Sequence, residues 1–396
     1  MKILFLSDNF FPEVNAPAVR TYEHCKEWVK MGHQVTVITC FPNFPTGKVF
    51  NGYKNKLFLK EELDGINVIR IWSYISPNSG FYKRTLDFLS YAIMSFLFGC
   101  FQKFDVVIGT SPQFFTALSA KMISFFKMKP WVFEIRDLWP ESIVAVGAIN
   151  ENSLLFKLLT LIEHSFYRSS LLNIVVTNSF KKHIDKLVVN TSKNFVVRNG
   201  IDVNSFFVKS VENNNLINYE NKFVISYIGT HGMAHALNFI LDCIKDLDSN
   251  LYHFLFIGGG AEKNNLINQS KKLKLTNVTF LPFVPKNKVI NYLNITDASL
   301  VNLKKSDTFK NVIPSKIFDS IAMNIPILLG VDGEAREIIE KHSFGIFYKP
   351  ENKKSFLDAC VKIKNIKYNS KAFVDENNRS KLAEIMINKI NDFLTK

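Results

Sequence analysis

The chain has 396 residues, 47% of them hydrophobic, and its 49 Lys and Arg against 35 Asp and Glu leave a net charge of +14. That length and apolar content exclude a disordered chain and require two or three packed domains. Five cysteines (Cys25, Cys40, Cys100, Cys243, Cys360), none in a CxxC pair, exclude a disulfide framework and a zinc ribbon and suit a reducing compartment. The positive charge admits nucleic acid, anionic lipid or a phosphate-bearing ligand. It is split between the halves, +8 over residues 1–200 and +6 over 201–396, with no basic tail, and no nucleic-acid-binding module is recognisable, so nucleic acid is not an expected partner.

In chain order, residues 3–6 form an apolar run too short for a signal peptide and suited to a buried strand. Further runs at 35–39, 105–109, 131–135, 173–177, 223–228, 254–257, 277–281, 298–303, 326–329 and 344–347 alternate with helical patterns at 18–31, 113–127, 153–169, 236–247, 261–273, 315–323 and 352–364. This βαβα rhythm predicts an α/β fold of parallel sheets with helices on both faces. The stretch Leu86–Phe101 is almost wholly apolar but falls short of the roughly 20 residues that a span needs and contains Asp87. It reads either as a helix buried on a sheet or as one lying in a membrane interface, with Lys83, Arg84 and Lys103 at anionic headgroups. Polar, aperiodic residues at 203–222 mark a boundary, giving domains at 1–203 and 204–378 with a cleft between them as the expected ligand site. Residues 379–396 form a last amphipathic helix with no strand after it, which is expected to dock elsewhere, the first domain being one place.

Several βα turns carry candidate chemistry. Gly229-Thr230-His231-Gly232-Met233-Ala234-His235-Ala236 follows a strand and precedes a helix, as does Gly258-Gly259-Gly260. Such turns let backbone N–H groups and the helix dipole approach an anion, although tight turns need glycine for steric reasons as well. Neither matches GxGxxG, which disfavours a nicotinamide site. His231 and His235 are four apart, but Gly232 favours a loop and no HExxH glutamate accompanies them; phosphate or sugar contact and structural roles both remain open, and no metal is expected. Pro314 and Ser315 mark a helix start, where free N–H groups and the Lys316 ammonium can face a pyrophosphate, with Asp319 one turn on to accept bonds from a ribose diol. In the first domain, the loop through Asn15, Ala16, Pro17 and Ala18 follows the first strand, and Arg136, Asp137 and Glu141 crowd the end of another, where buried charges are expensive unless solvated or used.

With Gly32-His33-Gln34-Val35-Thr36-Val37, the Arg136-Asp137-Leu138-Trp139-Pro140-Glu141-Ser142 block, Arg198-Asn199-Gly200-Ile201-Asp202, Gly229 to Ala234 and Pro314-Ser315-Lys316-Ile317-Phe318 in this order, the sequence resembles bacterial family 4 glycosyltransferases of the retaining GT-B type. Within them it is similar to O-antigen and capsule enzymes of the N-acetyl-L-fucosaminyltransferase kind. The resemblance covers essentially the whole chain and implies two Rossmann-like parallel-sheet domains facing across a cleft, the first binding acceptor and the second a nucleotide sugar. It places Gly229 to Ala236, with Thr230, His231 and His235, beside the donor diphosphate, Gly259 in the neighbouring turn, and Phe283 and Val284 near the base. Lys316 would face the diphosphate behind Pro314 and Ser315. Two glutamates eight apart in many relatives read Asn311 and Asp319 here, so the ribose role falls to a shorter carboxylate and the sugar-facing position is neutral. Asn15, Ala16, Pro17, Ala18, Arg136 and Asp137 fall near the acceptor and the reacting carbon, with Asp137 and Lys316 as the catalytic candidates.

The implied reaction is transfer of a sugar from a UDP-sugar to a lipid-linked saccharide, without metal or cofactor, by a protein in the cytoplasm at the inner face of the membrane. A UDP-sugar epimerase of the same architecture and a non-catalytic scaffold of a polysaccharide assembly complex are the alternatives.

Overall fold

A strand whose sheet is covered on both faces needs apolar residues at every position, and the central strands of this protein are built that way. The computed structural model describes residues 1–44, 46–76, 81–145, 147–201, 203, 219 and 221–395. Asp202 and most of the expected boundary, 204–218 and 220, lie outside the described residues. The chain forms two units, Met1–Asn199 with Arg379–Lys396, and Gly200–Asn378.

Unit 1 has eight strands: β1 (Lys2–Leu6), β2 (Gln34–Cys40), β3 (Phe58–Leu63), β4 (Ile66–Ile71), β5 (Val106–Thr110), β6 (Trp131–Ile135), β7 (Leu172–Val175) and β8 (Asn194–Val196), in the order β3-β4-β2-β1-β5-β6-β7-β8. All pairs are parallel except β3–β4, an antiparallel hairpin at the edge turned by Asp64 and Gly65, both at positive φ. One face carries α1 (Ala16–Lys30) and the helix Arg379–Leu394; the other carries α2 (Phe81–Cys100), α3 (Phe114–Lys127) and, packed on α3, α5 (Leu154–Ser169). Short α4 (Glu141–Ala145) follows β6, and α6 (Asn178–Asp185) follows β7. The helix Arg379–Leu394 buries Leu382, Ala383, Met386, Ile387 and Ile390 against Ile3, Phe5, Val37 and Trp28, and Trp28 Nε1 donates to the Ala383 carbonyl at 2.9 Å.

Unit 2 has six parallel strands, β9 (Phe223–Ile228), β10 (Tyr252–Ile257), β11 (Val278–Leu281), β12 (Ala298–Asn302), β13 (Ile327–Gly330) and β14 (Gly345–Phe347), ordered β11-β10-β9-β12-β13-β14. Its helices are α7 (Leu237–Ile244), α8 (Lys263–Lys272), α9 (Lys286–Leu293), α10 (Lys316–Ala322), α11 (Glu334–Lys341), α12 (Lys353–Lys362) and α13 (Lys371–Glu376); the helix Arg379–Leu394 is α14. The observed architecture is two parallel-sheet α/β units, as the sequence pattern predicts. The strand order reverses between β1 and β5 in unit 1 and between β9 and β12 in unit 2, and open α/β sheets bind ligands in the crevice at such points.

Candidate functional site

In unit 2 the switch point is framed by two glycine turns, and their geometry separates structural from chemical glycines. A Cβ on Gly258 would lie 1.9 Å from the Gly229 carbonyl oxygen, and one on Gly260 would lie 2.5 Å from that of His231; both residues have φ near +145°. The turns are stitched backbone to backbone: Gly229 N–H donates to Ile257 O at 2.9 Å, His231 N–H to Gly259 O at 2.8 Å, and Glu262 N–H to His231 O at 3.0 Å. Lys263 adds a clamp, its ammonium donating to the carbonyls of Gly258 and Leu281 at 2.6 Å each. Gly258 and Gly260 therefore hold the two turns together, whereas the space where a Cβ on Gly259 would point is open.

Gly229 has a different neighbour. Its absent Cβ makes room for Lys316, whose Nζ lies 3.2 Å from where that atom would be and 3.5 Å from the centroid of the Tyr227 ring. The Lys316 ammonium is sealed from solvent and has no hydrogen-bond acceptor among the described residues. Burial lowers its pKa from 10.5 to about 7, against the opposing pull of Asp319 one turn along α10. Around the same Tyr227 ring sit His231 and His235, with ring centroids 5.7 and 5.9 Å away. His231 is fully buried with both ring nitrogens unpartnered among the described residues, and burial, then Lys263 and Lys316, push it to about 4. Burial and Lys316 push His235 to about 3, while Asn302 Nδ2 fixes its carbonyl at 2.8 Å. Tyr227 is itself fixed by donating to the Thr230 carbonyl at 2.7 Å.

Three potential cations thus share one buried spot, each paying for desolvation. An anion placed among them would favour their charged forms.

The other expected donor residues have separate placements. Pro314 and Ser315 precede α10, where Ser315 holds the N-cap position without a side-chain cap. Asn311 ends the short 3-10 turn Thr308–Asn311. Phe283 is exposed beyond β11, and Val284 packs against the buried cluster of Val224, Leu255 and Ile257. A cavity of about 520 Å³ between the loops after β12, β13 and β14, lined by Lys305, Asp307, Arg336 and Glu351 among others, contains none of these residues.

In unit 1 a chain of polar side chains spans the switch point. Asn15 caps α1 by accepting from Ala18 N–H at 3.0 Å and donates to Asn9, which donates to Asp8; Gln113, beyond β5, donates to the same Asp8 carboxylate at 2.7 Å. Ala16 is exposed, Pro17 half-buried and Ala18 fully buried, with its methyl packed inward. At the end of β6 the Arg136 Nε and Nη1 atoms have no partner among the described residues, and burial lowers that guanidinium to about 10. Burial raises the Asp137 carboxyl to about 7, against the pull of the nearby Ser142 hydroxyl and Leu138 N–H. Ser111 Oγ accepts from the backbone N–H of both, at 2.8 and 3.3 Å.

The sequence reading gave no role to the buried pair beneath them. Arg20 Nε donates to Glu134 at 2.9 Å, and its Nη atoms donate to the carbonyls of Arg198 and Val197. Burial alone would raise Glu134, but Arg20, Arg136 and the Thr110 hydroxyl hold it below the usual carboxylate value. Tyr227 was likewise not singled out; a large aromatic one residue before the last of a βα strand, just ahead of a glycine turn, was the available signal. Among the described residues no group of three His, Cys, Asp or Glu side chains is arranged to hold a metal ion.

Residues 17–205 match the family model described as Glycosyltransferase Family 4, and residues 209–381 match that described as Glycosyl transferases group 1. A putative colanic acid biosynthesis glycosyl transferase, WcaI of Escherichia coli (strain K12), is 26% identical over 338 residues, 82% of this chain and 81% of the relative. Among solved structures, sucrose-phosphate synthase from Thermosynechococcus elongatus superposes with a TM-score of 0.79 at 11% identity, covering 100% of this chain and 99% of that one. HepE from Anabaena, in complex with UDP and glucose, superposes with a TM-score of 0.73 at 13% identity, covering 99% and 100%.

Proposed function

From the matches of residues 17–205 and 209–381 to two glycosyltransferase family models, we propose that the chain is a family 4 glycosyltransferase of GT-B architecture that moves a sugar from a UDP-sugar to a lipid-linked saccharide, with retention at the anomeric carbon, during surface polysaccharide synthesis. The observation that carries the donor assignment is the unpartnered Lys316 ammonium on Tyr227, against Gly229 and beside His231 and His235, at the switch point of the unit 2 sheet. The bound UDP and glucose of HepE and the colanic acid name of WcaI support a UDP donor and a polysaccharide product. The O-antigen and capsule enzymes that the sequence resembles make UDP-N-acetyl-L-fucosamine the first donor to test.

In the reaction, the bond between C1 and the diphosphate oxygen breaks and an acceptor hydroxyl oxygen bonds to C1 on the same face. Negative charge grows on the departing diphosphate, where Lys316 and the N–H groups of the Gly229 turn stabilise it without reorganising. Asp319 takes the ribose hydroxyls, and Phe283 and Val284 flank the base. In unit 1, Asp137 titrates near neutrality and accepts the proton of the acceptor hydroxyl, while Arg136 and the Asn15–Ala18 loop hold the acceptor. The acceptor's lipid places the protein at the cytoplasmic face of an anionic membrane.

The test is a nucleotide-sugar screen followed by mass analysis of products on a lipid-linked acceptor. Acceptor-dependent gain of one sugar is expected, slowed tenfold or more in Lys316→Ala while the variant keeps the parent's circular dichroism. Conversion of the UDP-sugar to its epimer without acceptor, or no turnover with any donor, overturns the reading.

A further inference from the structure

On the layer formed by α2, α3 and α5, unit 1 turns large apolar side chains to solvent. Along α2, Leu86, Ile93 and Leu97 recur at helical spacing, and Phe101 just beyond it is 84% exposed. At the end of α3, Phe125 is 78% exposed and Met128 90%, with Phe126 beside them. The α5 stripe of Leu154, Leu158 and Leu161 adds a third row. The helices that carry the rows pack side by side: the Ser95 and Ser119 hydroxyls bond at 2.8 Å and the Phe96 and Phe126 rings meet at 5.3 Å between α2 and α3, while Lys121 of α3 donates to Ser165 of α5. Isolated exposed leucines need no explanation, but a patch extending across three helices marks an interaction surface.

Charge identifies the partner. Residues 81–103, 114–129 and 154–169 contain eight Lys and Arg against two acids, Asp87 and Glu163. Glu163 is 2% exposed and accepts the Tyr167 hydroxyl, and Asp87 is half-buried. Within those segments the cations meet no freely exposed carboxylate; Asp105, two residues past Lys103, is exposed but accepts the Lys2 backbone N–H, and Glu151 is exposed ahead of α5. Two copies of this chain meeting through the face would set eight cations against eight, whereas an anionic lipid surface complements both the charge and the apolar rows. Among the described residues no helix is long and apolar enough to cross a membrane, and α2, about 30 Å long at 1.5 Å per residue, suits lying along one.

We propose that the α2–α3–α5 face of unit 1 seats the protein on an anionic lipid monolayer, with Phe101, Phe125, Phe126 and Met128 among the acyl chains and Lys103, Lys127 and Lys129 at the headgroups. This deepens, and rests on, the reading that the acceptor is lipid-linked, because it names the surface that brings the acceptor-binding unit to that lipid. It extends the interfacial reading of α2 to three helices, with α2 packed on the sheet by one side and presenting the other.

The test is flotation of the full chain with vesicles of phosphatidylglycerol and of phosphatidylcholine, alongside transfer to a water-soluble, lipid-free acceptor analogue. Binding to phosphatidylglycerol vesicles that weakens with salt is expected, at least tenfold stronger than to phosphatidylcholine. Two separate variants, Phe125→Ser with Phe126→Ser, and Lys127→Glu with Lys129→Glu, are each expected to lose tenfold in vesicle binding while keeping transfer to the soluble analogue. No flotation at low salt, or variants that float like the parent, overturns the proposal, and retained transfer then leaves the glycosyltransferase reading standing. A dimer in sedimentation that Phe125→Ser with Phe126→Ser dissociates also overturns it, in favour of a second copy. Flotation by a protein that transfers no sugar upholds the surface and removes the functional reading instead.

Discussion

Lys316 sits where the fold gains nothing from its charge. Its folded pKa, about 7, lies below its ordinary 10.5, so the unfolded chain binds the proton more tightly. Lys316 therefore costs stability progressively as pH falls from about 10.5 through about 7, and the cost is complete below that. Lys316→Met is expected to raise the melting temperature at pH 6 and to leave it nearly unchanged at pH 10, read by calorimetry. The same variant should weaken UDP binding by about 1.5–3 kcal/mol, roughly tenfold to a hundredfold, through loss of charge-assisted bonds. Between pH 7.5 and 9 the parent should take up protons on binding UDP, seen as a dependence of the binding heat on buffer ionisation, and the variant should take up fewer. A second residue-scale prediction concerns Arg20. Arg20→Met leaves Glu134 buried beside the Thr110 hydroxyl and should cost about 3–5 kcal/mol in urea unfolding, toward the lower end because Arg136 also acts on that carboxylate. Neither partnership was legible in the sequence. Lys316 and Tyr227 are 89 positions apart and Arg20 and Glu134 are 114 apart, and no periodicity links a side chain to a partner that only the sheet order brings near.

Among the elements, those that glycine and apolar runs announce were the readable ones. The runs at 3–6, 35–39 and 223–228 fall on β1, β2 and β9, because strands covered on both faces must be apolar throughout. The β3–β4 hairpin escaped the same reading, since Phe58–Leu63 is an edge strand rich in Lys and Glu with no buried position. Its Asp64–Gly65 turn was the missed signal. The glycine turns of unit 2 were visible as ligand candidates, but which glycines serve the backbone and which serve a ligand depends on the second turn lying against the first. Gly258→Ala is expected to force the turns apart, because its Cβ would meet a carbonyl oxygen at 1.9 Å at a φ that favours glycine. Gly259→Ala, pointing into open space, should leave the melting curve unchanged. If both variants melt alike, the turns are not interlocked.

For the molecule as a whole, the net charge of +14 divides: eight of its cations lie in the segments that form the apolar α2–α3–α5 layer, and one, Lys316, lies buried on Tyr227, where burial lowers its pKa to about 7. The chain leaves unit 1 at Asn199 and re-enters it at Arg379. Truncation after Asn378 removes Leu382, Met386, Ile387 and Ile390 from the unit 1 core, and at about 1.5–3 kcal/mol for each large side chain this rivals the stability of a whole domain. The truncated protein should show a collapsed unit 1, read as loss of near-ultraviolet circular dichroism and gain of dye binding.

The same re-entry sets a timetable for synthesis. Domains usually fold in the order in which they leave the ribosome. Here unit 2 is one uninterrupted stretch, whereas unit 1 keeps Trp28, Ile3 and Phe5 uncovered until α14 emerges. The intervening residues 200–378 take about 9–36 s to translate at ~5–20 residues per second. For that interval the nascent chain presents an apolar sheet face still waiting for α14, which makes it a substrate for ribosome-associated chaperones.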